Sequence, residues 1–269
     1  MRTYLFSSLI IMFCFFGSVS AQVNQLISCQ IPVLGWYGIP AEETTVTRYL
    51  EMKEAGFTIN LSHLSNAQQV QVALDSAEKA GIKLIIGCSE LHSDPENTVR
   101  KFRNHPALAG YFLRDEPSRT DFTELGEWAK KIRAVDDKHY CYLNLFPNYA
   151  IPEQLGTKTY QEYIRIFINE VPVSILSFDH YPVIGDSITR NLRPEWYENL
   201  EIFADEAKKS GKPFWAFALA TAHKPYPIPT ISDLRLQVYS NLAYGAQGIQ
   251  YFTYWTPPAG TWDFHDGPI

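Results

Sequence analysis

One junction recurs along the chain, and it limits the folds that the sequence can adopt. A helix-like segment ends in glycine, and a short apolar segment follows, at Gly56, Gly81, Gly211 and Gly245. Glycine favours the left-handed conformation that ends many helices. A short apolar run after such a stop is typical of a strand buried on both faces. Strands that alternate with helices predict right-handed βαβ units and a parallel sheet.

The segments between these junctions can be counted. Predicted strands cover residues 33–38, 57–64, 82–87, the start of 108–118, 140–145, 173–178, 213–219 and 248–254. Predicted helices cover 44–55, 66–80, 95–103, 118–135, 159–170, 194–210 and 231–244. Eight such units in about 250 residues predict an α/β fold of the (β/α)₈ TIM-barrel type. The rival is an open doubly wound sheet, which usually carries a glycine-rich phosphate loop that this sequence lacks.

The amino-terminal residues 1–21 have the pattern of a signal peptide. Arg2 precedes an apolar run over 5–16, and small residues at 18–21 form a cleavage site. The run is too short to span a bilayer, so we expect export to the periplasm or the medium and no transmembrane span. A lipoprotein box ending at Cys29 is the less favoured alternative, because polar residues separate it from the apolar run.

The remaining chain divides into a linker over 22–32 and a barrel domain over 33–269. The sequence ends soon after the eighth predicted strand, with no eighth helix. We therefore expect either a barrel without its last helix or a fragment of a longer protein, and the fragment is favoured.

Composition excludes several kinds of partner. The net charge is −6 and no basic stripe is present, so a nucleic-acid partner is not expected. Cys29, Cys88 and Cys141 follow the signal peptide without Cys-x-x-Cys spacing, so neither a zinc site nor a disulfide scaffold is indicated. No metal and no cofactor are predicted. The oligomeric state is left open.

The fourth predicted strand ends abruptly in charge. Arg114, Asp115 and Glu116 follow its apolar run, and Pro117 then stops strand pairing. Parallel α/β folds place their chemistry at the carboxyl ends of strands. The alternative is a solvated strand end whose Asp115 or Ser118 caps the next helix.

Polar and aromatic side chains also end the other predicted strands. In a barrel these ends converge on one mouth. The candidates for this mouth are Trp36, His63, Asp115, Glu116, Asn144, Asp179, His180, Tyr181 and Trp255. Aromatic faces beside carboxylates and amides suit a carbohydrate, because sugar C–H groups stack on rings and sugar hydroxyls bond to polar groups.

Residues 110–117, Gly-Tyr-Phe-Leu-Arg-Asp-Glu-Pro, resemble the fourth-strand motif of the clan A glycoside hydrolases. These are retaining (β/α)₈ glycosidases, and their motif is Asn-Glu, often followed by Pro. The resemblance implies that Glu116 is the general acid/base. Asp115 stands in place of the clan's Asn.

The resemblance extends over roughly 34–255. Residues 250–255 resemble the clan's eighth strand, which implies that Trp255 forms the floor of a sugar subsite. Residues 179–182 resemble its sixth-strand end. The resemblance as a whole implies a TIM-barrel fold, a carbohydrate substrate, and substrate-binding roles for the mouth residues.

The seventh strand departs from the clan. The clan's nucleophile is a Glu at the end of this strand, but residues 212–220 carry no carboxylate and Ala218 stands near that position. A retaining mechanism needs two carboxyl groups about 5–5.5 Å apart. Asp179 is the best remaining second carboxylate, because neighbours such as Asp115 and Glu116 point to opposite faces of a strand, although less strictly at its end. A chitinase-like mechanism, in which the substrate's acetamido group is the nucleophile, is a further alternative.

Three functions are therefore compatible with the sequence. The leading one is an exported glycoside hydrolase that cleaves O-glycosidic bonds in oligo- or polysaccharides by general acid/base catalysis with Glu116, with Asp179 as the candidate second carboxylate. The second is a carbohydrate-binding barrel without catalysis, motivated by Ala218. The third is a lyase or isomerase, which is weakest because no metal-ligand cluster or phosphate loop is present.

Overall fold

A computed structural model describes residues 31–186 and 188–256. The predicted signal peptide, Cys29 and the end of the chain lie outside the described residues. The strands are β1 (Val33–Trp36), β2 (Ile59–Leu61), β3 (Lys83–Ile86), β4 (Leu108–Asp115), β5 (Tyr140–Asn144), β6 (Leu176–Phe178), β7 (Val183–Gly185), β8 (Arg190–Leu192), β9 (Phe214–Leu219) and β10 (Gly248–Phe252). The helices are α1 (Val46–Glu54), α2 (Ala67–Ala80), α3 (Ser89–Ser93), α4 (Pro95–Phe102), α5 (Phe122–Val135), α6 (Pro152–Leu155), α7 (Tyr160–Glu170), α8 (Glu195–Ser210) and α9 (Ile231–Ala243).

Eight of these strands form one parallel sheet in the order β5-β4-β3-β2-β1-β10-β9-β6. A bridge from Leu145, just after β5, to Phe178 of β6 joins the two ends of the sheet. There the Leu145 N–H donates to the Ser177 carbonyl at 2.9 Å. The sheet thus closes into the predicted (β/α)₈ barrel, in which β9 and β10 are the seventh and eighth barrel strands.

Glycine ends the helices at the predicted positions. The Asn66 side chain accepts the N–H groups of Gln68 and Gln69 at the start of α2, and Gly81 ends that helix at φ +74°. Gly211 ends α8 in the same left-handed conformation, at φ +66°. Each junction returns the chain to the amino-terminal end of the next strand. The opposite end of the barrel, where the strands end, is the end at which barrels of this kind carry their catalytic groups.

Two helices and two strands were absent from the sequence prediction. Helices α3 and α6 contain 5 and 4 residues, too few to display a helical period. Strands β7 and β8 contain 3 residues each and pair as an antiparallel hairpin between β6 and α8. An alternating pattern cannot be recognised over three residues.

Side-chain alternation along β9 separates two layers of core. Phe214 and Ala216 pack in the layer between sheet and helices, and Trp215, Phe217 and Leu219 pack inside the barrel. The interior is crowded with rings. Gly248 of β10 is required beside Trp215, because an added Cβ there would lie 2.6 Å from the indole.

The eighth strand is followed by loop as far as residue 256. The prediction of a missing eighth helix or a fragment concerns residues 257–269, which lie outside the described part. Within residues 31–186 and 188–256, no helix is both long and apolar enough to cross a membrane.

Candidate functional site

The end of β4 departs from regular strand geometry. Its register with β5 shifts between Phe112 and Asp115, so that Asp115 pairs with Asn144. Glu116 then adopts φ +43°, a left-handed conformation that costs a non-glycine residue about 1–2 kcal/mol. As a result, Asp115 and Glu116 line the same cavity. The alternation expected for neighbours on a strand is broken at this point, as can happen at a strand end.

The cavity lies at the carboxyl ends of the barrel strands and has a volume of about 160 Å³. Its lining combines carboxylates, one amide and aromatic rings. The lining residues are Trp36, Asp115, Glu116, Asn144, Tyr149, Asp179, Tyr181, Phe217, His223, Tyr226 and Phe252. None of these is a lysine or arginine.

Asn144 at the end of β5 connects the two aspartates. Its Nδ2 donates to Asp179 Oδ1 at 2.7 Å and to Asp115 Oδ1 at 3.3 Å. Its Oδ1 accepts the Ser177 hydroxyl at 2.9 Å. Because the amide oxygen of Asn144 accepts the Ser177 hydroxyl, its NH₂ group is held toward the carboxylates of Asp115 and Asp179.

A buried polar network inside the barrel supports this amide. Gln250 Nε2 donates to Ser177 Oγ at 2.8 Å, and the Tyr142 hydroxyl donates to Gln250 Oε1. The four side chains of the network, including Asn144, are nearly inaccessible to solvent. Buried polar groups that are mutually satisfied rigidify their surroundings.

The electrostatics favour a protonated Glu116. Burial raises the pKa of Glu116, and the negative charges of Asp179 and Asp115 raise it further. Glu116 and Asp179 line the same cavity, so the charge of Asp179 acts on the Glu116 carboxyl group. Of the three cavity carboxyl groups, Glu116 has its pKa raised the furthest. The protonated form of Glu116 is therefore favoured beside the two aspartates.

The two aspartates ionise before Glu116. Burial raises the pKa of both, and the charge of Asp115 adds to the effect on Asp179. The Asn144 hydrogen bonds act in the opposite direction. Carboxyl groups whose pKa values are driven apart by their surroundings are typical of sites that separate an acid role from a charged role.

Arg114 does not enter the cavity. Its guanidinium forms an ion pair with Asp121 at 3.0 Å, and Arg114 is not among the lining residues. A cation beside Glu116 would favour ionisation and lower the pKa of its carboxyl group. Arg114 is not among the groups that shift the pKa of Glu116.

Six of the nine predicted mouth residues line the cavity, and three do not. His63 is exposed and contacts the rings of Tyr37 and Phe112 at 5.3 and 5.8 Å. His180 is buried behind Tyr149, with Nδ1 3.1 Å from Asn199 Oδ1.

The third, Trp255, follows β10 and lies under the Arg48 guanidinium, 5.4 Å from the ring centroid. It does not line the cavity, whose β10 contribution is Phe252. The functional roles of all nine residues remain predictions.

Five lining residues were not predicted. Phe217 and Phe252 could have been predicted, because the alternation of side chains along β9 and β10 directs both into the barrel. Tyr149, His223 and Tyr226 lie in the loops after β5 and β9, where no periodic pattern indicates which side chains point inward.

The seventh barrel strand contributes an aromatic ring. Phe217 of β9 lines the cavity, 5.4 Å from the ring of Trp36. Alternation places Ala218 on the opposite face of β9, toward the helices, where it is fully buried. Among the described residues, the part of the cavity wall formed by β9 therefore has no carboxylate.

Comparison with known proteins gives a fold relationship. No protein-family model matches the chain, and no curated protein matches its sequence. Several solved structures do resemble it in fold. The endoglucanase Cel5A from Pseudomonas stutzeri is 16% identical, with TM-score 0.56 over 87% of this chain and 88% of that one.

Two further structures show the same fold. A β-mannanase from the blue mussel Mytilus edulis is 9% identical, with TM-score 0.56 over 83% of this chain and 87% of its own. A Bacteroides thetaiotaomicron protein with a provisional assignment as an α-L-fucosidase is 13% identical, with TM-score 0.57 over 88% of both chains. At such identities the comparisons confirm the barrel fold that the strand-end motifs implied.

Proposed function

We propose that this chain is an exported glycoside hydrolase that cleaves O-glycosidic bonds in oligo- or polysaccharides, with Glu116 as general acid. The observation that carries the proposal is that Glu116 and Asp179 line one aromatic cavity at the carboxyl end of a (β/α)₈ barrel, where burial and the charges of Asp179 and Asp115 raise the pKa of Glu116. The glycosidase structures with this fold support it. No metal or cofactor takes part.

In the proposed reaction, Glu116 donates its proton to the glycosidic oxygen as the bond to the anomeric carbon breaks. The departing alcohol takes the bonding electrons and the proton. Positive charge then develops on the sugar ring, and the ionised Asp115 and Asp179 stabilise it across the small cavity. Glu116, now a carboxylate, removes a proton from the water that completes hydrolysis.

Substrate recognition in this proposal uses the remaining lining residues. Trp36 and Tyr181 pack against the apolar faces of the sugar, and Asn144 bonds to a hydroxyl beside the two aspartates. His63 and Trp255, outside the cavity, are candidates for contacts with a longer substrate. His180 supports the ring of Tyr149 from behind.

Asp179 is the candidate second carboxylate. In a retaining enzyme the two carboxyl groups lie about 5–5.5 Å apart, with the anomeric carbon between them. Glu116 and Asp179 line the same small cavity, so Asp179 could attack only if a bound sugar placed its anomeric carbon between the two carboxyl groups. An immediate role for Asp179 is to hold the proton of Glu116.

Azide distinguishes these two roles of Asp179. If Asp179 is the nucleophile, azide should restore activity to Asp179→Ala and give a glycosyl azide of inverted configuration. If Asp179 only holds the proton of Glu116, azide gives no such product.

A carbohydrate-binding barrel without catalysis is the second candidate, favoured by Phe217 in place of a carboxylate on β9. Both candidates are tested on a panel of 4-nitrophenyl and methyl glycosides, with calorimetry of the free sugars. Hydrolysis that falls in Glu116→Gln supports the enzyme. Sugar binding without any hydrolysis, and unchanged in Glu116→Gln, supports the binding protein.

A further inference from the structure

Two tyrosines from distant loops meet at the edge of the cavity. The hydroxyls of Tyr149, after β5, and Tyr226, after β9, are 3.2 Å apart. Arg193, after β8, lies 4.1 Å over the Tyr149 ring and donates to the Tyr226 hydroxyl at 3.3 Å. We refer to Tyr149, Tyr226 and Arg193 as the tyrosine wall.

The wall stands over one side of the barrel mouth. Strand β6 lies between β5 and β9 in the closed barrel, so loops from β5 and β9 that touch each other must cross above β6. Both tyrosines line the cavity, and Tyr226 is only 8% exposed. The cavity is therefore closed above Asp179 and Tyr181, the residues that follow β6.

Hydrogen bonds hold the wall in place. The loop after β9 is joined to the β7–β8 hairpin where Gly185 N–H donates to the Pro225 carbonyl at 2.9 Å. The Arg190 guanidinium donates to the Ile228 carbonyl at 2.8 Å, and the Arg193 N–H donates to the Pro182 carbonyl at 2.7 Å. The wall is thus built into the fold before any ligand binds.

Among residues 31–186 and 188–256, none covers the opposite side of the cavity. Asp115 at the end of β4 keeps an exposed surface although its carboxyl group is desolvated, and His63 after β2 is exposed. Glu116 therefore lies between the closed side and the open side. When a glycosidic oxygen receives the proton of Glu116, the departing group lies toward solvent. The sugar that is cleaved off lies toward the tyrosine wall.

We propose that the cavity accepts a single terminal sugar and that the enzyme removes residues one at a time from a chain end. This inference rests on the proposed hydrolase function. A volume of about 160 Å³ is below the 300–1,000 Å³ typical of pockets for larger ligands. A second sugar on the wall side would collide with Tyr149 and Tyr226.

The test uses the 4-nitrophenyl β-glycosides of a monosaccharide and the matching linear trisaccharide, in the glucose and mannose series, and 4-nitrophenyl α-L-fucoside. We expect immediate nitrophenol from a monosaccharide, and from the trisaccharide only after a lag, with free monosaccharide as first product. Immediate nitrophenol from the trisaccharide with release of the intact trisaccharide would overturn this proposal and leave the hydrolase intact. Cleavage of none of the probes would overturn both.

Wall variants give an independent readout. In Tyr149→Ala/Tyr226→Ala, direct nitrophenol release from the trisaccharide should rise about tenfold relative to the monosaccharide. Tyr239→Ala, on an α9 side chain that is 66% exposed, is the matched control and should keep the wild-type ratio. Tyr149→Ala alone, with a melting curve, covers the case in which the double variant does not fold. A ratio unchanged in a folded wall variant would contradict the proposal.

Discussion

The two halves of the barrel mouth differ in chemistry. The half formed by β4, β5 and β6 carries Asp115, Glu116, Asn144 and Asp179, joined by hydrogen bonds. The strands β9, β10 and β1 of the other half present rings, represented by Phe217. The charged half carries the carboxyl groups of the cavity, whereas the rings on these three strands shape the cavity and exclude water. The account therefore assigns bond cleavage to the first half and sugar selection to the second.

The largest expected effect is the loss of the proton on Glu116. Glu116→Gln keeps the shape but removes the acid, and general acid–base catalysis contributes about 10²–10⁴-fold. kcat/KM for methyl glycosides should fall by this amount, and less for 2,4-dinitrophenyl glycosides, whose leaving group needs little protonation. Glu124→Gln, on the exposed face of α5, is the control. Equal losses for both substrate types would contradict the assignment.

A smaller effect is expected at the connection between the aspartates. Asn144→Ala removes the hydrogen bonds that favour the ionised form of Asp115 and Asp179, so the pKa of both should rise. Loss of charge stabilisation and of a fixed geometry should lower kcat about tenfold. Asn97→Ala on exposed α4 is the control. A change in KM alone would show that Asn144 only binds sugar.

The aromatic half should affect binding more than chemistry. Phe217→Leu removes a ring whose packing is worth about 0.5–1.5 kcal/mol beyond its area, so KM should rise several-fold. kcat should change little, because the ring touches no transferable proton. A large fall in kcat with KM unchanged would break the division between the two halves.

The smallest effect concerns stability. The pKa of Glu116 is raised in the folded protein, so the folded state binds more protons than the unfolded chain between pH 4.5 and the raised value. Stability is therefore lost as pH rises through this window. Glu116→Gln removes that loss and should raise Tm at pH 8 by roughly 2–4 °C, with no gain at pH 4. A gain at pH 4 of the same size would show that the effect does not come from the charge of Glu116.

The sequence predicted the barrel because its signals are local. Gly81 and Gly211 each end a helix, as their local sequence predicts. Short apolar strand segments can likewise be identified without knowledge of the strands that pair with them. Six cavity residues were found in the same way, since each ends a strand. Ala218 stands near the position of the clan's nucleophile, and its neighbour Phe217 lines the cavity.

The loop residues could not be predicted in this way. Tyr149 and Tyr226 are 77 positions apart, and their contact depends on how two loops fold across β6. The left-handed backbone conformation of Glu116, which lets the adjacent Asp115 and Glu116 line the same cavity, also has no local sequence signature. Such features follow from tertiary packing, which overrides the alternation of an ideal strand.

The most direct test of the account is a ¹³C NMR titration of the Glu116 carboxyl carbon, assigned by the signal that disappears in Glu116→Gln. We predict a pKa well above the ordinary glutamate value of 4.5. In Asp179→Asn the pKa should fall, because one of the negative charges that raise it is gone. A Glu116 pKa in the ordinary range, unmoved in Asp179→Asn, would contradict the claim that this carboxyl group is the acid of the site.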